Sequence, residues 1–339
     1  MSSVSDALAL DDVRRILAAL DVVADPFSLP ASALTTVGDG VNDVFVVDTP
    51  RAAAERFVLK VGTFSNATHL RGGVAAARAL RAHTSLPVPE ILAFDAGSDD
   101  RPAAVAMSYL PGSPLASDFD DIANLTDPAR VSLLGAVVAA FDAIPRDAAT
   151  GYGSIQRGDA VDGRPGVTAT HDRFDDWLVG YARKHFESPA PHSAIERVAP
   201  AALEYLLDDR DRLPIAPSPA VVLTDLSPGN LLAFGGRPPA SVDDLGGVVD
   251  LERAKVAPVA FAAVNVEYLL TTDVDDPTPV QRALYDELPF GPDVPLRDLY
   301  RLAAISRAVS GLSTWETPGS AAFDRRASAV ARELEAIVD

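Results

Sequence analysis

The stretch VVLTDLSPGN begins at Val221 as a β-branched, apolar run and ends in a cluster of polar and turn-forming residues. Asp225 and Asn230 stand at the mouth of that hydrophobic strand, and their oxygens suit the holding of something charged. Further along, VVDLERA places Asp250 at the end of a second apolar run, and RFVLK ends a third on Lys60. Aspartates that finish strands are common at turns, and a lysine after an apolar run is ordinarily a strand-end residue. Each signal is weak alone, so their meaning rests on order and on the elements that bring them together.

The chain has 339 residues, 48% of them hydrophobic, enough for a substantial core and for two lobes. Its net charge of −19 repels phosphate backbones, which argues against nucleic acid as a partner. Cysteine is absent, so thiolate catalysis, disulfides and cysteine metal sites are excluded. The acidic start MSSVSDALALDDVRR has no basic leader pattern, and no window approaches the ~20 apolar residues of a membrane span. A soluble, cytoplasmic protein with no membrane partner is expected. Lysine occurs only at Lys60, Lys184 and Lys255, and such an acidic, lysine-poor surface suits a halophilic cytoplasm, with GC-rich codon bias the bland alternative.

Val13, Ile16, Leu17 and Leu20 recur at helical spacing. Then ALTTVGDGVNDVFVVDT reads as strand, glycine turn and strand, followed by RFVLKVGTF, a short helix from about Val74 to His83, and two strands in LPVPEILAFDAG and AAVAMSYL. After PGSPL the pattern turns mostly helical, with Asp127–Pro128 a good helix start. A small β island holds the opening stretch, NLLAF and GGVVDL, before a helical C-terminal portion.

This order resembles the aminoglycoside phosphotransferase family of small-molecule kinases, over nearly the whole chain. The resemblance implies an α+β, protein-kinase-like two-lobe fold, with a nucleotide-binding lobe over 1–110 and a catalytic and substrate lobe over 111–339. TDLSPGN has the Asp-x-x-x-x-Asn spacing of a kinase catalytic loop, so Asp225 would act as base toward a substrate hydroxyl. Asn230 and Asp250 would be the Mg²⁺ ligands, hard oxygen donors completed by the phosphates of ATP. Lys60 matches the phosphate-binding lysine. Gly38, Gly40 and Asn42 in GDGVND match the phosphate-covering loop, though a hairpin turn would carry the same glycines. In MSYLPG, Met107 would pack on adenine, and backbone groups of Ser108 and Leu110 would bond it.

Two departures stand out. The fold needs a helix glutamate to hold the lysine, yet Val61 to Pro89 contains no Asp or Glu, and Gly73 falls at the matching place. Two helical glycines cost roughly 2 kcal/mol against alanine, so the helix is expected to start after Gly72 and Gly73. Lys60 would then pair with Asp225 or Asp250 in the empty state, or rely on the ligand alone. Leu223 and Thr224 also replace the family's His-Gly, which would loosen the catalytic loop. Two readings follow: an ATP-dependent phosphotransferase acting on the hydroxyl of a small metabolite, its activity attenuated; or an inactive nucleotide- or partner-binding module. The histidines His69, His83, His171, His185 and His192 lack zinc-ligand spacing. Asp172, Asp175 and Asp176 read as an acidic helix start, or as acceptor contacts, and Trp177 as core.

Overall fold

The computed structural model describes residues 8–37, 42–49, 55–62, 67–116, 127–161, 163–234, 239, 241–272 and 274–339. The N-terminal portion is a five-stranded antiparallel sheet in the order β1-β2-β3-β5-β4. Its strands are β1 (Leu34–Thr36), β2 (Asp43–Asp48), β3 (Arg56–Val61), β4 (Ile91–Asp95) and β5 (Ala104–Ser108). Alternation sets the faces: Phe57, Leu59 and Val61 are buried, while Val58 and Lys60 point the other way. Helix α1 (Leu10–Leu20) lays Val13, Ile16, Leu17 and Leu20 against the sheet's buried Phe45, Phe57 and Leu59.

Helix α2 spans Ala67–His83, longer than expected, and runs straight through Gly72 and Gly73. The propensity penalty of two glycines is overridden by packing. A Cβ on Gly72 would stand 2.9 Å from the carbonyl oxygen of Ile155, so only a glycine lets the helix approach that strand.

Ile155 belongs to an element the sequence pattern did not reveal. Strands β8 (Tyr152–Val161) and β9 (Arg164–His171) follow the short pairs β6 (Ser113–Pro114) and β7 (Ala149–Thr150), in a stretch where helix was expected. They join a second sheet of order β10-β13-β8-β9-β7, with β10 (Ala220–Leu223) and β13 (Ala254–Ala257). Gly153 in β8 has φ +96° and lies flat against the indole of Trp177, where a Cβ would come within 2.4 Å. A third sheet, β12-β11-β6, is built on the hairpin β11 (Leu231–Ala233) and β12 (Leu245–Val248).

Helices make up the rest: α3 (Pro128–Ala140), α4 (Phe174–Phe186), α5 (Ser193–Asp208), α6 (Val259–Thr271), α7 (Thr278–Tyr285), α8 (Arg297–Trp315) and α9 (Ala321–Val338). Asp127 caps α3 as expected, its carboxylate accepting from Ala129 N at 3.1 Å. Inside this bundle Glu267 is fully buried, bonded by Gln281, Tyr285, Arg297 and Arg301. Among the described residues, no helix is long and apolar enough to cross a membrane.

Candidate active site

Lys60 is the penultimate residue of β3, between Val44 of β2 and Val105 of β5. Its Nζ sits 2.6 Å from Asp250 Oδ1 and 2.7 Å from Glu252 Oε2. Burial alone would pull the ammonium down, but the two carboxylates outweigh it and hold Lys60 above the ordinary lysine range. Of the two partners expected for Lys60, Asp250 is correct and Asp225 is not: Asp225 pairs elsewhere.

Glu252 is the residue that sequence reasoning missed. It is buried, and Asn42 donates from Nδ2 to both its carboxylate oxygens at 3.1 and 3.2 Å. Gly73 makes room for it: a Cβ there would stand 3.0 Å from Glu252 Cα and 3.1 Å from its nitrogen. A signal was available in DLERA, where an acid follows two residues after Asp250 in a chain that lacks the helix acid. Asp250 itself holds a left-handed backbone (φ 61°), unusual for a non-glycine residue, at the start of the turn Leu251–Arg253. Surrounding protein pushes its carboxyl up, Lys60 pulls it down, and Glu252 and Asp225 push it up again.

The loop that carries Asp225 is braced without a histidine. Arg307 of α8 donates from Nη1 to Thr224 O at 2.8 Å, and its Nη2 lies 3.3 Å from Asp225 Oδ1. Thr224 Oγ1 donates to Arg253 O at 3.0 Å, so the residue expected to loosen the loop instead ties it to the Asp250 turn. Burial would lower the Arg307 guanidinium, but Asp225 beside it raises it overall. Asn230 Nδ2 donates to Asp225 O at 2.8 Å, and Val249 N donates to Asn230 O at 2.9 Å. These bonds link Asp225, Asn230 and the residue before Asp250 into one hydrogen-bonded unit.

A cleft of about 540 Å³ opens beside this unit. Lys60, Asn42, Asp250 and Glu252 form its polar end. Its apolar part takes Val46 and Val58 from the first sheet and Leu232 from the third, facing walls that suit a flat ring. Met107, Ser108 and Leu110 line it too. The N–H of Ser108 is already given to Glu90 O at 2.8 Å, so of its two backbone groups only the carbonyl is left to offer. Gly38 and Gly40 lie outside the described residues.

The donor set fits a hard divalent cation. Asn230 has turned its Nδ2 to a carbonyl, which leaves Oδ1 as an acceptor, and Asp250 gives one oxygen to Lys60 and retains another. Among the described residues no three His, Cys, Asp or Glu side chains are placed to hold a metal by themselves. An ion here would draw its remaining ligands from phosphate and water. Of the acids near the start of α4, Asp175 is buried between Arg173 and Arg210, at 2.9 and 3.0 Å. Trp177 is core, 3% exposed.

Residues 34–294 match the model of the phosphotransferase enzyme family APH, and the chain belongs to that family. The crystal structure of aminoglycoside phosphotransferase APH(4)-Ia is similar over 97% of this chain and 98% of that one, at TM-score 0.64 and 18% identity. Amicoumacin kinase hAmiN, in complex with AMP-PNP, Ca²⁺ and Ami, is similar over 96% and 93%, at TM-score 0.61 and 13% identity. A choline/ethanolamine kinase family protein from Mesorhizobium loti is similar over 98% and 95%, at TM-score 0.52 and 15% identity. The fold is therefore the protein-kinase-like fold of these small-molecule phosphotransferases. No curated protein sequence matches the chain.

Proposed function

We propose that this protein is an active ATP-dependent kinase that moves the γ-phosphoryl group to a hydroxyl of a small molecule. Residues 1–110 would form the nucleotide lobe and 111–339 the catalytic lobe. The observation that carries the reading is the hydrogen-bonded unit of Asp225, Asn230 and Val249, whose next residue, Asp250, meets the Lys60 ammonium at the polar end of the cleft.

In this reading Asp225 accepts the proton of the acceptor hydroxyl as its oxygen bonds to the γ-phosphorus. The bond to the β–γ bridging oxygen breaks, and ADP leaves. Lys60 offers positive charge to the phosphates, and Asn230 and Asp250 would hold Mg²⁺, which supplies charge neutralisation at the phosphate oxygens. Phosphoryl transfer depends on positioning and electrostatics, so fixed side chains matter more than an additional reactive group. Two observations favour activity over an inactive binding module. Glu252 supplies an acid for Lys60, and Arg307 with Thr224 braces the loop at Asp225.

The test is a thermal-shift titration with ATP, with and without Mg²⁺, on wild type and Asp250→Asn. A Mg²⁺-dependent rise that shrinks in the variant supports the reading. No rise in either protein would sink it and turn attention to binding partners.

A further inference from the structure

Asn42 stands immediately before β2, and the strand register decides which way it points. Val44 is paired with Lys60, and Val46 with Val58. Side chains two apart on a strand share a face, so Asn42 falls on the face of Val44 and Lys60, diagonal to the lysine. All five side chains line the cleft. Asn42 and Lys60 converge there on one carboxylate that comes from the Asp250 turn. Lys60 Nζ lies 2.7 Å from Glu252 Oε2, and Asn42 Nδ2 donates to Oε1 and Oε2 at 3.1 and 3.2 Å. Asn42 and Glu252 are both buried.

An amide in a phosphate-covering loop would be expected to face the nucleotide. Here its nitrogen is turned to a carboxylate of the chain itself. That carboxylate has a task Asp250 does not perform alone. A lysine ammonium rides on a flexible four-carbon stem, and its partners fix where it points. Asp250 is shared between Lys60 and, in the phosphotransfer reading, Mg²⁺, whereas Glu252 is the partner that Lys60 does not share with the metal. The aim of Lys60 then depends on how firmly the Glu252 carboxylate is held. A buried carboxylate needs several donors, and an ammonium touching one oxygen leaves the group free to turn about its last bond. An amide that bridges both oxygens stops that rotation.

We propose that Asn42 is a positioning residue of the phosphotransfer site, which fixes the Glu252 carboxylate and through it the Lys60 ammonium, and does not itself touch the phosphates. This inference rests on the phosphotransfer reading.

The test is calorimetric titration of the full chain with Mg·AMP-PNP, and separately with adenosine, which presents the ring without phosphates. Asn42→Ala should weaken Mg·AMP-PNP by about 3- to 5-fold and leave adenosine unchanged. That is a fraction of what one charge-assisted hydrogen bond contributes, because the effect reaches the phosphates through two other side chains. Glu252→Gln should weaken Mg·AMP-PNP at least as much. Adding Asn42→Ala to Glu252→Gln should cost nothing further, since the relay is already cut. Asn42→Leu, which keeps the buried volume, carries the test if Asn42→Ala does not fold. Affinity for Mg·AMP-PNP equal to wild type, or a loss that adenosine shares, would overturn the positioning role. So would losses that add in full in the double variant, the mark of a direct contact with phosphate. A wild-type protein that does not bind Mg·AMP-PNP would overturn the phosphotransfer reading, and this inference with it.

Discussion

The backbone of Glu252 occupies the space a side chain on Gly73 would need, with Glu252 Cα 3.0 Å from where that Cβ would stand. The helix has given up its acid at the place where another acid comes in from the Asp250 turn. Lys60 keeps two carboxylate partners, one being the side chain that would also serve the metal.

Glu252→Gln should lower kcat by about 10- to 100-fold with a smaller change in the KM for ATP, because Lys60 would lose its second anchor and drift from the phosphates. Glu252→Asp should recover part of the loss. Steady-state kinetics on both variants checks this, and unchanged kcat in Glu252→Gln would remove the residue from the mechanism.

Gly73→Glu should not restore a missing ion pair. Its Cβ would meet backbone that cannot swing aside, so Gly73→Glu and Gly73→Ala should each destabilise the fold by about 1–3 kcal/mol. Urea denaturation would measure this, and a Gly73→Glu protein of full stability and higher activity would show that Glu252 does not fill the role.

Asp225→Asn should abolish transfer and leave the Mg·ATP thermal shift near wild type, since the amide cannot accept the hydroxyl proton. Arg307→Met should reduce kcat by about 100-fold through a displaced Asp225. The two variants differ in what remains: Arg307→Met should keep a measurable kcat, and Asp225→Asn should not.

Glu267 offers a pH test independent of the site. Burial pushes its carboxyl up, but the bond from Arg297 and the charges of Arg301 and Arg297 outweigh that and hold it below the ordinary glutamate range. A depressed carboxyl contributes stability above its unfolded pKa and loses it as pH falls through the folded value. Glu267→Gln leaves Arg297 without its acid, while Arg301 keeps Glu333, and should cost about 3–5 kcal/mol at pH 7. The gap from wild type should narrow in acid, as denaturation midpoints at pH 7 and near pH 4 would reveal.

The first sheet was legible in the sequence because its strands alternate cleanly, as in RFVLKV, and because Lys60 breaks that apolar run. Asp225, Asn230 and Asp250 were legible because polar residues ending buried strands are conspicuous. The hairpin β8–β9 was not. Its strands hold Gly153 and Gly158 where β-branched residues would mark a strand, since these positions serve close approach of Trp177 and α2. The extent of α2 was hidden likewise, because Gly72 and Gly73 read as helix breakers until the surfaces pressed against them are known. Glu252 and Arg307 escaped notice because what makes them matter is who stands next to them, and periodicity says nothing of that.

The seating of α2 has one more consequence. With Ile155 against Gly72 and Glu252 against Gly73, the helix is clamped on both flanks by elements beyond the first sheet. In protein kinases an outward swing of this helix withdraws the glutamate and silences the lysine. Here a swing of α2 would withdraw nothing, because the acid belongs to the opposite wall. The ion pair at Lys60 is thereby uncoupled from the position of α2, and a kinase built this way would have no ignition key in that helix.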